Sequence, residues 1–207
     1  MTEDKHAKPR IWESDDCAIW RETLDSYRHV ILAQGRERLG ELDGWYGDEL
    51  PRLLSERGEP YITLEELQKV AAWKMTRGVW RERNRLLIGG NPPDMVEETS
   101  RAAFAAVPDP RQPITLLCKL AGVGAATASA VMAAYAPDVY PFFDELVAEQ
   151  MPVMGPVAFT PKYYFAYAEA LRERAARLTE SCHDRAWTAQ DVAQALWAAS
   201  GGKIALA

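Results

Sequence analysis

Cysteine is scarce, with three among 207 residues. Cys17, Cys118 and Cys182 stand far apart, form no C-x-x-C pair and are odd in number, so the sequence supports neither a disulfide framework nor a zinc or iron–sulfur site. It predicts a chain kept in a reducing compartment. Histidine is as rare, and His6, His29 and His183 fall in no H-x-E or H-E-x-x-H pattern, which leaves metal-assisted hydrolysis without its usual signs. No apolar run approaches the ~18 residues of a membrane helix, and the charged start Met1-Thr2-Glu3-Asp4-Lys5 lacks a signal-peptide core. The expectation is a soluble intracellular protein with no membrane partner, nuclear where the cell has a nucleus. Period-two alternation is missing except near Val157 to Phe159, and there is no fixed-period repeat and no low-complexity tract. Ser129 and Ser181 sit in no nucleophile-elbow context.

Positive charge is the minority sign: 24 Lys and Arg against 30 Asp and Glu give a net charge of -6. Nucleic-acid binding is driven largely by Lys and Arg, so the balance opposes it until its distribution is considered. Residues 1 to 72 carry sixteen acidic and ten basic side chains, the whole deficit. From Lys74 to Arg85 there are five basic residues against one acidic, and from Arg111 to Pro137 no acidic residue at all. A local basic face on an acidic protein is one reading. A solvated helix face carrying Arg81, Arg83 and Arg85 is the other.

What the sequence does have is helical periodicity, and the fold class it predicts is all-α. Trp20, Leu24, Tyr27 and Ile31 form one stripe between Cys17 and Gln34. Thr63-Leu-Glu-Glu66 is a capping box opening a helix through Leu67, Ala71 and Met75. Asn91-Pro92 is expected to cap another, with Val96, Ala103, Phe104 and Val107 on its face. Thr160-Pro161 opens a long helix through Leu178, and Thr188 with Asp191 opens a last one, stopped at Gly201-Gly202. The Pro- and Gly-containing stretch from Met151 to Pro161 divides a middle helical lobe, residues 61–150, from a second lobe of residues 17–60 plus 160–207. Residues 1–207 are nevertheless expected to form a single compact unit.

The informative run is Ile114 to Tyr135. Pro113 sits where a helix can begin, and Leu116, Leu117 and Leu120 give it an apolar face. Gly122 can take the left-handed conformation that ends it, and Val123 is the only side chain of the turn large enough to anchor it. The next helix starts at Ala125 with no Ser, Thr, Asp or Asn ahead of it, so its first amides lack a side-chain partner. Bare amides beside glycine suit a phosphate oxygen. An ordinary helical hairpin with a glycine turn has the same spacing.

The pattern Leu117-x-x-Leu120-x-Gly122-Val123-Gly124-x-x-Thr127-Ala128-x-x-Val131 resembles the helix-hairpin-helix of the DNA base-excision glycosylases related to endonuclease III, the HhH-GPD superfamily. In that superfamily a Pro-containing loop after the hairpin (114–135) ends at a catalytic Asp twenty positions past the second hairpin glycine. Counting from Gly124, that position is Asp144, in the loop 137–145. The resemblance implies two helical lobes flanking a cleft and a double-stranded DNA partner with a damaged or mispaired base. It further implies phosphate contacts at Gly122, Val123, Gly124, Ala125 and Thr127, and it leaves Lys119 free to join them. A K+ or Na+ ion on the carbonyls of Cys118, Leu120 and Val123 would be the only cofactor.

The same resemblance makes Asp144 the group that stabilises positive charge on the deoxyribose and directs water. Lys74 falls near a position where the family places a cleft-lining Gln, beside Trp73, and is the second expected catalytic residue, forming a buried pair with Asp144; a solvent-facing lysine beside Arg77 and Arg81 is the rival reading. Trp73, Phe142 and Phe143 are the expected base-pocket residues, although Trp73 also reads as core and Asp144 as a helix cap. Three departures shape the expectation. Ala126 stands where bifunctional members carry a Schiff-base lysine, so the reaction implied is monofunctional and uses water. The four-cysteine iron–sulfur cluster is absent. Glu145 and Glu149 follow the Asp where the family is often basic. A silent DNA-binding or scaffold member of the same fold is the alternative.

Overall fold

The computed structural model describes residues 11–183 and 185–203. All regular structure among them is helical: α1 Cys17–Asp25, α2 Tyr27–Ala33, α3 Leu39–Gly44, α4 Leu50–Glu56, α5 Leu64–Arg77, α6 Glu82–Gly89, α7 Pro93–Ala105, α8 Gln112–Leu117, α9 Ala125–Tyr135, α10 Glu145–Ala148, α11 Pro161–Cys182 and α12 Ala189–Ser200. A π-helical turn, Trp45–Glu49, joins α3 to α4. Residues 157–159 form no strand. No described helix is long and apolar enough to cross a membrane.

The capping chemistry acts as the residue types dictate. Thr63 and Glu66 form a reciprocal box at α5, Thr188 and Asp191 another at α12, and Thr160 accepts from the Tyr163 amide at α11. Each such cap holds an end that would otherwise fray, worth about 1 kcal/mol. Gly201 ends α12 at φ +80°. Two expectations need correction. The stripe from Trp20 to Ile31 is not one helix. It breaks at Ser26, whose hydroxyl donates to the Thr23 carbonyl, an alternative to helical hydrogen bonding that serine offers its own backbone. Asn91 does not cap α7, for Pro92 holds that position. The Asn91 side chain is buried and instead ties the end of α6 to the α8–α9 turn. Its Nδ2 donates to the Ile88 and Ala121 carbonyls, and its Oδ1 accepts from the Ala121 amide.

One continuous core runs through the molecule. The helix α12 packs on α1, α2, α10 and α11, while α5 and α9 pack on each other. Between these groups, α3 lies on α2 and on α5, and α4 lies on α9, so the segment 39–56 belongs to both expected lobes. Cys17 and Cys182 are joined by a disulfide, with Cα atoms 5.5 Å apart. This overturns the expectation of unpaired thiols and removes the basis for assigning a reducing compartment. The partners are 165 positions apart, and the packing of α1 and α11 on α12 and on each other brings them together.

The α8–α9 corner is built by close approach. Gly122 has φ +75°, and a Cβ there would lie 2.8 Å from the Asn84 carbonyl oxygen and 2.9 Å from Leu87 Cβ. The absent side chain lets α6 press on the turn. Gly122→Ala therefore meets both a left-handed backbone and backbone overlap, and is expected to cost about 2–4 kcal/mol. Chemical denaturation checks this, and a loss below 1 kcal/mol would refute the close approach. Gly124 differs: its φ of -103° is open to any residue, and nothing lies within 4 Å of a Cβ built there.

Candidate functional site

A pocket of about 350 Å³ opens where the end of α5, the segment 78–81, the start of α9 and the loop before α10 meet. Each wall follows from a local cause. The α9 N-terminus reaches the pocket bare, because Gly124 has no side chain to fold back as a cap and none from elsewhere supplies one. Gly124, Ala125, Ala126 and Thr127 line that wall. Facing them is Asp144, the N-cap of α10, whose Oδ1 accepts from the Leu146 amide at 2.9 Å. Cap and pocket carboxylate are thus the same residue, the capping bond fixing the orientation of the group that faces the cavity.

Phe142 and Phe143 form the apolar side, with Phe159 exposed at the rim. Phe143 anchors this side in an aromatic cluster, its ring centroid 5.2 Å from Phe159 and 5.1 Å from Tyr167. Its amide donates to Ser129 Oγ, and that of Phe142 to Gln190 Oε1, which ties the loop to α9 and α12.

The structure thus gathers Gly124, Ala125, Thr127, Phe142, Phe143, Asp144 and Lys74 around one cavity. It leaves Gly122, Val123, Lys119 and Trp73 off the pocket wall. Lys119 is exposed elsewhere on the turn. Trp73 is corrected from base pocket to core: it is fully buried, stacked on Tyr46 at 3.6 Å, with Nε1 donating to Asp43 Oδ1 at 2.9 Å. A ring held on both face and edge cannot swing out to meet a ligand. Cys118, Leu120 and Val123 bring three neutral carbonyls into one tight turn, a donor set of the hard-oxygen kind suited to an alkali cation. The Leu120 carbonyl also accepts the Val123 amide, so it would offer such an ion only its second lone pair. No group of three or more His, Cys, Asp and Glu able to hold a metal occurs among the described residues.

Arg77 is the residue sequence reasoning missed. It is 3% exposed, and its Nε lies 3.3 Å from Asp144 Oδ2. The pair is electrostatic only, because the Nε–H is not aligned on the carboxylate and has no hydrogen-bond acceptor. The guanidinium is held from behind: Nη1 donates to the Tyr27 hydroxyl, which donates to Asp43 Oδ1, and its Cζ lies 4.1 Å from the ring centroid of Trp197. Burial pulls the Arg77 pKa down, but Tyr27, Asp144 and Asp43 together raise it above the ordinary arginine value. The available signal was spacing, since Val70, Trp73 and Arg77 lie three and four apart on the buried stripe of α5.

Lys74 does not pair with Asp144, whose ion-pair partner is Arg77. Burial first, and the nearby charge of Arg81 second, hold the Lys74 ammonium below the usual lysine pKa, against an opposing pull from Asp144. Glu145 is paired with Lys203, which the sequence did not suggest as a site residue. Compared with protein-family models, with curated proteins and with solved structures, this chain matches none.

Proposed function

We propose that this protein is a DNA-binding, monofunctional glycosylase-like protein of the HhH-GPD kind. The observation that carries this reading is that the uncapped start of α9 and the Asp144 carboxylate line one cavity with Phe142 and Phe143. In this reading the Ala125 and Ala126 amides grip a backbone phosphate, and an extruded base enters between the phenyl walls, since its glycosidic bond is out of reach inside the duplex. Asp144 stabilises positive charge developing on the deoxyribose and orients a water molecule. The C1′–N bond breaks with its electron pair leaving on the base. The water oxygen bonds to C1′, one water proton passes by way of the carboxylate to solvent, and the departing base takes up a proton. Ala126 at the pocket supplies no amine for a Schiff base.

A panel of lesion-bearing duplexes tests the proposal. Release of at least one base is expected, with Asp144→Asn slowing it about 10²–10⁴-fold and Gly124→Asp weakening DNA binding at least tenfold. Base release by Asp144→Asn at the wild-type rate would refute the catalytic role. The Arg77 pairing, which offsets the charge of Asp144, favours a second reading, a catalytically silent DNA binder. Salt-sensitive binding lost in Gly124→Asp with no base released from any lesion selects it.

A further inference from the structure

We propose that Lys74 and Arg81, with Asn84, form an anion subsite for the phosphate of a single nucleotide whose ring lies against Phe142 and Phe143. The pocket would then take a nucleotide unit rather than a bare base. The inference shares the pocket with the reading above but holds whether or not any bond is cleaved.

Charge pairing carries the argument. Four cations line the pocket, Lys74, Arg77, Arg81 and Lys203, against two acids, Asp144 and Glu145. Arg77 takes Asp144 and Lys203 takes Glu145. That leaves Lys74 and Arg81, and neither side chain forms an ion pair or hydrogen bond among the described residues. Asn84, on the same wall, likewise makes no side-chain hydrogen bond there. A cation without an acid partner is ordinary on an open surface, and what sets Lys74 and Arg81 apart is that both line one cavity. Two like charges facing one cavity are unfavourable until an anion enters between them.

Two further features define the ligand. Lys74 is largely removed from water, and Arg81 is the second cause, after burial, of its depressed pKa, so an anion would be attracted in a partly desolvated setting. The bare α9 N-terminus adds its amides and dipole to the same cavity. A few convergent polar groups beside apolar walls in about 350 Å³ fit a small organic anion with a flat ring. Phosphate on a nucleotide meets both halves, and it could come from a free monophosphate or from the DNA backbone.

Calorimetric titration at low salt with dAMP, dGMP, dCMP and dTMP, each beside its nucleoside and beside inorganic phosphate, tests this. At least one monophosphate is expected to bind, its nucleoside and inorganic phosphate each at least tenfold more weakly. Arg81→Gln and Lys74→Gln should each weaken the monophosphate about tenfold and leave the nucleoside unchanged. Arg81 is exposed, so the Arg81→Gln protein is expected to keep its fold, verified by its melting curve. If duplex DNA displaces the monophosphate and Arg81→Gln weakens both, the backbone supplies the phosphate. If only the monophosphate is weakened, the ligand is a free nucleotide. Failure of all four monophosphates to bind, equal affinity for nucleoside and monophosphate, or indifference to Arg81→Gln would overturn the subsite. Absence of base release touches only the catalytic reading.

Discussion

Replacing Arg77 with Met is expected to lower stability by about 3–5 kcal/mol, because it leaves buried Asp43 and nearly buried Asp144 without their shared cation. Met keeps the length and apolar stem, so loss of packing on Trp197 is small and the cost is chiefly electrostatic. For a chain of this size that corresponds to a fall in melting temperature of roughly 6–20 °C. Asp144→Asn alone should cost less, since it leaves Arg77 still paired through Tyr27 with Asp43. The double variant is expected to be less destabilised than the two singles added together, by 0.5–3 kcal/mol, the range for residues in direct contact. Strict additivity in thermal unfolding would show that Arg77 and Asp144 do not interact.

The second large effect concerns the link between α1 and α11. A bridge closing 165 positions removes much of the freedom of the unfolded chain, and its loss in Cys17→Ser is expected to cost about 4–5 kcal/mol. A melting temperature lowered by roughly 8–20 °C follows. The control is reduction: a thiol reductant should bring the wild-type protein to the melting temperature of Cys17→Ser and leave the variant unmoved. A wild-type protein indifferent to reductant would contradict the bridge.

Local chemistry made most helix ends legible. Threonine followed three residues later by an acid reads as a start at Thr63 and Thr188, and glycine reads as a stop at Gly201, because each satisfies or releases backbone groups within one turn. The glycine corner between two helices also followed from spacing, whereas the meeting of Gly124, Phe142 and Asp144 was expected only from the family resemblance. What stayed hidden depends on distant partners. Arg77 looked like one more residue of a basic segment, because nothing near it in sequence announces Asp43, Tyr27 and Trp197. Trp73 read both as a stacking residue and as core, and the partners that make it core, Tyr46 and Asp43, come from the preceding segment of the chain. Asn91 has the right residue type for a cap, and its actual task as a clamp depends on Ala121, thirty positions on. The Cys17–Cys182 bridge was missed because three cysteines, odd in number and far apart, read as unpaired thiols, and only the fold brings two of them together.

The packing of α1 between α11 and α12 sets a timetable for synthesis. At 5–20 residues per second, a ribosome needs on the order of 10–30 s to travel from Cys17 to Cys182. For nearly all of that interval Trp20, which ends fully enclosed, lacks its final neighbours Arg174 and Trp187. The nascent chain must therefore carry a sticky segment until Cys182 and the helix after it have been made, and a chaperone able to shield it should raise the yield of correctly oxidised protein.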